Sequence, residues 1–391
     1  MTLNVLVIGA GMYVCGRRTN TFGTVLPALH QAKKDGIVDT VGVCATSKAS
    51  LIDLFNKNSE LSKLFNHNSF INCYPKKKEV DHASFLEAIE EGEYDCGIVV
   101  VPDHLHHEIG KALIQNGLHI LMVKPLTPEV RSAQDLIMAA ESKGVYGAVE
   151  FHKRYDKINL KIRECIHNKE IGDVLYCWVE YSQRISIPLD YFKGWAAETN
   201  IFQYLGVHYV DIIYFLTGFQ PTRVLAVGQK NRLIKEGIDT YDSIQAIIEW
   251  KNKDASKSFT STILTNWIDP RCTSSMSDQK ITIIGTEGRI ESDQKNRGLR
   301  LISDSNGIED INPYFSNLFY DTDGSSMKFS GYGNDSINQF LKDCLSLKEE
   351  TKTLKDLKGL RPTFTESLLS TAVIEAVNNS LKHGSEWTPV K

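Results

Sequence analysis

Nothing in the 391-residue chain approaches the roughly 20 consecutive apolar residues that a membrane-spanning helix needs, so no membrane partner is expected. Charge of one sign is also missing. Forty-four Lys and Arg against 48 Asp and Glu leave a net charge of −4, and no global field selects a nucleic acid or an anionic surface. The run Lys76-Lys77-Lys78 reads as a solvated loop. The eight cysteines include no C-x-x-C pair, which excludes a zinc ribbon or a redox pair, and no metal site is expected. Several of them stand among apolar neighbours, where a free thiol behaves as a small hydrophobe, and this suits a reducing compartment. Met1-Thr2-Leu3-Asn4 carries no basic leader and runs at once into a strand pattern, so a cytoplasmic protein is expected. Internal repeats and low-complexity segments are lacking too.

What is present is a change of rhythm near residue 150. Before it, short apolar runs alternate with helical patterns. The strands predicted are Leu3–Ile8, Thr40–Ala45, Phe70–Cys73, Cys96–Val101, His119–Val123 and Val145–Glu150. Helices are predicted near 24–34, 49–57, 82–91, 104–116 and 127–143. Continuous apolar strands separated by helices argue for a parallel sheet covered on both faces. After residue 151 a helix at 155–168 precedes longer alternating strands at 175–183, 223–229, 243–250, 259–265 and 280–284. That alternation predicts a mainly antiparallel sheet with helices on one face. Further helices are predicted at 201–216, 335–347 and 362–382, with long loops over 303–334. The length suits two domains, set here at 1–150 and 151–391: α/β followed by α+β.

The first strand runs into Gly9-Ala10-Gly11-Met12. Glycines here let the chain turn sharply and let its backbone approach a pyrophosphate without a Cβ in the way, and the following helix start offers N–H groups to the phosphates. The third glycine of a G-x-G-x-x-G turn would fall at Val14 and is missing. An insertion is inferred, with Gly23 taking that place before a helix Thr24–Lys34, and with loop 12–22, including Arg17 and Arg18, folding over the phosphates. The second strand ends Cys44-Ala45-Thr46-Ser47-Lys48 without the acid that binds a ribose 2′-hydroxyl. Thr46, Ser47 and Lys48 suit a 2′-phosphate, so NADP is preferred over NAD.

Five further segments recur in order: Val101-Pro102-Asp103-His104-Leu105-His106, Lys124-Pro125-Leu126, Glu150-Phe151-His152-Lys153-Arg154, Gly206-Val207-His208-Tyr209-Val210-Asp211 and Gly285-Thr286-Glu287-Gly288. Together they resemble the glucose–fructose oxidoreductase / inositol dehydrogenase (Gfo/Idh/MocA) family over nearly the whole chain. The resemblance implies a Rossmann domain holding a nicotinamide cofactor and a second domain whose sheet faces a sugar or cyclitol. It implies Lys124 as the lysine of an E-K-P segment and His208 as the histidine of a G-x-H-x-x-D segment. Val101, Pro102 and His106 match the loop around the nicotinamide ribose. A dimer or tetramer through the second sheet is implied as well.

The chain departs from the family where Val123 replaces a glutamate and Tyr204 an aspartate. Oxidising a secondary alcohol needs a base within reach of the hydroxyl while the cofactor takes the hydride. His208 is assigned that role and Lys124 the polarising one, with the reverse left open; Tyr204 lies one helical turn from His208 on the same face. Lys153 and Arg154 are candidates for a substrate anion, or for structural pairing with an acid. Arg184, Tyr191, Trp195 and Tyr204 are candidate sugar contacts, since aromatic faces suit sugar rings and cores alike. Two other functions stay open: a catalytically silent NADP-binding regulator, and a hydrolase that oxidises its substrate transiently.

Overall fold

A computed structural model describes residues 1–305 and 307–391. Its contacts group into two units. The first comprises Met1–Leu126, Arg131–His152 and Tyr314–Ser367; the second comprises Thr127–Val130, Lys153–Pro313 and Leu368–Lys391.

The first unit is built on six strands: β1 (Leu3–Ile8), β2 (Val38–Cys44), β3 (Ile71–Tyr74), β4 (Cys96–Val99), β5 (His119–Val123) and β6 (Gly147–Glu150). They pair in parallel in the order β3-β2-β1-β4-β5-β6. Strands such as β4 are buried at every position, as the unbroken apolar runs predicted. Residues 314–367 differ from the expectation of two consecutive domains, because they join this unit. The physical reason lies in helix Tyr332–Lys348. Its Ile337, Phe340, Leu341 and Cys344 are buried in the same core as Leu3, Val5 and Leu29. Gly147 is packed so closely on the ring of Phe364 that a Cβ would stand 2.5 Å from it.

The second unit holds β7 (Val174–Arg184), β8 (Gln220–Gln229), β9 (Ser243–Lys251), β10 (Ser258–Asp269), β11 (Ser277–Gly285) and β12 (Arg289–Asp293). With Thr388–Pro389 they form one sheet in the order β12-β11-β7-β10-β9-β8 and then 388–389. Every pairing is antiparallel except that of β10 with β7. Alternate residues of each strand face one side. On the covered side lie Val179, Tyr181, Ile248, Trp250, Ile263 and Ile281, all buried. Helix Val207–Thr217 packs there, with Tyr209 edge-on to Tyr181 at 5.7 Å between ring centroids. The helix is apolar nearly all round, as a buried helix must be.

The predicted long loops at 303–334 are corrected. Strands Leu299–Ser303 and Gly307–Ile311 form one hairpin, and Asn317–Tyr320 and Met327–Ser330 another. Their strands are short and largely exposed or half-buried, so no alternating burial pattern marks them in the sequence. Phe340→Ala should lower the unfolding free energy in chemical denaturation by about 3–5 kcal/mol, the cost of emptying a buried phenylalanine site. A change below about 1 kcal/mol would remove helix Tyr332–Lys348 from the core of the first unit.

Candidate active site

In an open parallel sheet, ligands bind beyond the carboxyl ends of the strands where the strand order reverses. That reversal falls between β1 and β4, and Gly9 stands at the end of β1. Its φ is +117°, and a Cβ would lie 2.1 Å from the carbonyl oxygen of Val100, just past β4. Glycine is therefore required by the protein itself. Gly11 is different. Its φ is −86°, and a Cβ would meet nothing within 4 Å. Neither strain nor internal packing calls for glycine there. The bare backbone leaves a cradle that a side chain would fill, as a pyrophosphate site requires. The residues present thus fit a dinucleotide held on the backbone of Gly9–Met12.

The inserted segment is arranged otherwise than loop 12–22 implied. Met12–Cys15 already forms one helical turn, ended by Gly16 at φ +66°, and the longer helix Val25–Lys34 starts afresh. Val14 and Cys15 are buried in the core. The close approach that the missing third glycine would allow is made by Gly23, whose Cβ would stand 2.7 Å from the carbonyl of Val14. The insertion proper is therefore 16–23. It is fastened to helix Ile52–Phe65: Lys57 donates to the carbonyls of Gly16 and Thr19 at 2.7 Å each and to that of Thr21, and the Arg18 N–H donates to Asp53 at 3.1 Å. Sequence reasoning missed Lys57 and Asp53, because no motif marks a lysine that binds only carbonyls.

At the end of β2, Thr46 is exposed. Ser47 caps the turn Lys48–Leu51 by accepting the N–H of Ser50. Lys48 pairs with Glu79 at 3.0 Å, an exposed pair that an incoming anion displaces at small cost. After β4 and β5, Val101, Pro102 and Lys124 are partly exposed, whereas His106 is fully buried. The His106 ring stands between two loops, with Nε2 3.0 Å from the Val101 carbonyl and Nδ1 2.8 Å from that of Pro125. Burial holds its pKa down, opposed by Asp103. Its side chain therefore joins loop to loop.

In the second unit, helix Val207–Thr217 carries His208 in its first turn, 4% exposed and 6.2 Å from the Tyr181 ring. Tyr204 lies in a π-helical turn, Phe202–Gly206, rather than in the α-helix expected. It packs edge-on to Phe192 at 5.0 Å and near Trp267, and Phe192 also contacts Trp195 at 4.3 Å. Burial pushes the Tyr204 phenol up to about 12, with Gln183 opposing, so it stays protonated near neutrality. Tyr191 is half-buried and closes the π-helical turn Ile187–Tyr191.

Two candidate substrate contacts, one for an anion and one for a sugar, are engaged structurally. Arg154 is buried and donates to Asp211 through Nε at 2.9 Å and through a second nitrogen at 2.6 Å, which makes the structural alternative the one observed. Arg184 donates to the hydroxyl and carbonyl of Thr273. Lys153 is 2% exposed, donates to Gln279, and lies over the rings of Tyr181 and Tyr209 at 5.1 and 5.5 Å. Burial pulls its ammonium down to about 7; Asp156 opposes this and Arg297 reinforces it. Among the described residues, no group of three His, Cys, Asp or Glu is placed to hold a metal ion, and no helix is long and apolar enough to cross a membrane.

The switch-point turn, with a glycine whose missing side chain leaves open space, defines a dinucleotide-binding Rossmann unit. The description "Oxidoreductase family, NAD-binding Rossmann fold" matches residues 3–151, and the "GFO/IDH/MocA C-terminal domain" matches residues 159–291. The chain belongs to the GFO/IDH/MocA oxidoreductase family. It is 29% identical over 183 residues to scyllo-inositol 2-dehydrogenase (NADP(+)) IolW of Bacillus subtilis, covering 44% of this chain and 51% of that protein. The chain spans about half the length of the curated relatives it matches. Its fold is shared with myo-inositol 2-dehydrogenase from Lactobacillus plantarum, at a TM-score of 0.69, 16% identity and full coverage of both chains. The scyllo-inositol dehydrogenase from Lactobacillus casei, solved with NAD(H) and scyllo-inositol, gives a TM-score of 0.67 at 14% identity, covering 100% of this chain and 99% of that one.

The buried lysine yields a pH prediction. The folded-state pKa of Lys153, about 7, lies below its ordinary value of 10.5. Between these limits the unfolded chain binds the extra proton, so stability should rise with pH from about 7 towards 10 and flatten below 7. Lys153→Met should remove that slope and stabilise the protein near neutrality. Denaturant titrations across pH that show the same slope in both proteins would refute it.

Proposed function

We propose that the protein is an NAD(P)-dependent oxidoreductase. It would transfer a hydride between the nicotinamide and a secondary alcohol or ketone of a cyclitol, sugar or sugar derivative. The observation that carries this reading is Gly11, bare of neighbours at the switch point of a parallel sheet. Family membership and the inositol dehydrogenases among the relatives support the substrate class.

The bound cofactor would supply the hydride acceptor or donor. The chain supplies the proton chemistry. His208 would take the hydroxyl proton on oxidation and return it on reduction, because an imidazole nitrogen can accept and return a proton at a fixed position. Lys124 would orient and polarise the oxygen. Tyr204 cannot act as a base near neutrality, since its phenol is held up at about 12; it would donate a hydrogen bond. Tyr191, Trp195 and Phe192 would offer apolar faces to the ring carbons. NADP is preferred to NAD through Thr46, Ser47, Lys48 and the arginines at 17 and 18, and the location is cytoplasmic.

Lys124→Ala and His208→Ala should each lower kcat roughly 10²–10⁴-fold. The assay is absorbance of reduced cofactor with a panel of inositols and keto-sugars, and cofactor affinity should hardly change. Tyr204→Phe should cost activity only if its hydroxyl meets the substrate. Near-normal turnover in both alanine variants on a substrate the wild type converts sinks the assignment.

We further propose a homodimer or homotetramer through the outer face of the second sheet. Tyr176, Trp178, Val227, Ile247 and Ile268 are exposed there at 37–46%, and a second copy laid on this face would remove their apolar area from water. Trp178→Glu should shift sedimentation towards a smaller species; a wild-type monomer at micromolar concentration would refute the assembly.

A further inference from the structure

We infer that Lys57 is the positioning residue for cofactor selection: it fixes the inserted segment 16–23 at the adenosine end of the dinucleotide site. The inference rests on the NADP preference proposed above and adds a residue that no motif contains.

Topology supplies the first part of the case. With the pyrophosphate on the turn after β1, the adenosine ribose falls at the carboxyl end of β2. Helix Ile52–Phe65 follows that end, after the turn Lys48–Leu51. Asp53 and Lys57 stand four residues apart in its first half, hence on one face. Both hold the inserted segment, so that segment, with Arg17 and Arg18, flanks the ribose end rather than the nicotinamide end.

Donor arithmetic supplies the second part. An ammonium has three N–H donors. Those of Lys57 go to the carbonyls of Gly16, Thr19 and Thr21. With its donors occupied, Lys57 is not itself a phosphate ligand. What it does is draw three carbonyls of one short segment to a single point. Thr19 tightens the same turn, its hydroxyl donating to the Gly16 carbonyl at 2.8 Å and accepting the Thr21 N–H at 3.2 Å. Arg18 is held at φ +61°, its N–H on Asp53. A segment so tied presents its two guanidinium groups from a fixed backbone, and the ordering cost is met on folding rather than on binding.

The test titrates NADPH and NADH separately into wild type, Lys57→Met, Arg17→Ala and Arg18→Ala, and follows amide exchange over residues 16–22. Lys57→Met keeps the side-chain length and removes the donors. It should raise the NADPH dissociation constant about tenfold to a hundredfold, the range for lost charge-assisted hydrogen bonds, and that of NADH less than about threefold. Exchange over 16–22 should speed up, with the cofactor-free melting temperature nearly unchanged. If Lys57→Met does not fold, Asp53→Asn, which weakens only the Arg18 N–H contact, carries the same test. Equal weakening of both cofactors overturns the inference. So does an unchanged NADPH affinity in Lys57→Met while the arginine variants lose it, and that outcome leaves the NADP reading intact. Arginine variants that bind NADPH as wild type does overturn the NADP reading itself.

Discussion

The carbonyl oxygen of Val100 lies where a Cβ on residue 9 would be. That close approach sets the end of β1 against the end of β4, at the one place where the strand order reverses. The loops that carry the cofactor turn, Val101-Pro102 and, through the His106 ring, Pro125 all take their places from it. A side chain at residue 9 would push these backbones apart and close the crevice that the topology opens. Gly11, two residues on, is free of such demands, and the contrast separates the glycine that builds the site from the glycine that serves a ligand.

The second unit depends on how it buries charge. Arg154 with Asp211, and Arg297 with Asp156, are buried ion pairs, each with matched hydrogen bonds. Such pairs seldom add net stability, but removing one partner is expensive, because it strands the other. Lys153 directly precedes Arg154 in the chain and, among the described residues, has no carboxylate on its ammonium; it is held by Gln279 and two tyrosine rings. Its lowered pKa is the mark of that choice. The segment 153–156 therefore reads as the wiring of the unit's interior, and both substrate-anion candidates named from the sequence, Lys153 and Arg154, lie in it.

Much of the fold was legible because burial writes a period into the chain. β1 and β5 fall on the predicted residues, and the other main strands within a few positions, since their faces are unambiguously buried. The hairpins at 299–311 and 317–330 were not legible, because strands that bury little leave no period. The π-helical turn at Phe202–Gly206 was missed for another reason: one extra residue in a turn leaves the apolar pattern almost unchanged. Among the candidate residues, the glycines and the Lys124 and His208 segments announce themselves by type and order. Lys57 and Asp53 do not, because their partners are backbone groups that any sequence supplies.

Helix Tyr332–Lys348 closes the core of the first unit, and this bears on how the protein is made. Synthesis runs from the N-terminus at about 5–20 residues per second. Strand β6 ends at Glu150, yet Ile337, Phe340 and Leu341 must still be added before that core is filled. For roughly ten to forty seconds the nascent sheet waits with an apolar flank uncovered while the second unit emerges. A chaperone that shields this flank would have a defined moment of release, when helix Tyr332–Lys348 leaves the ribosome.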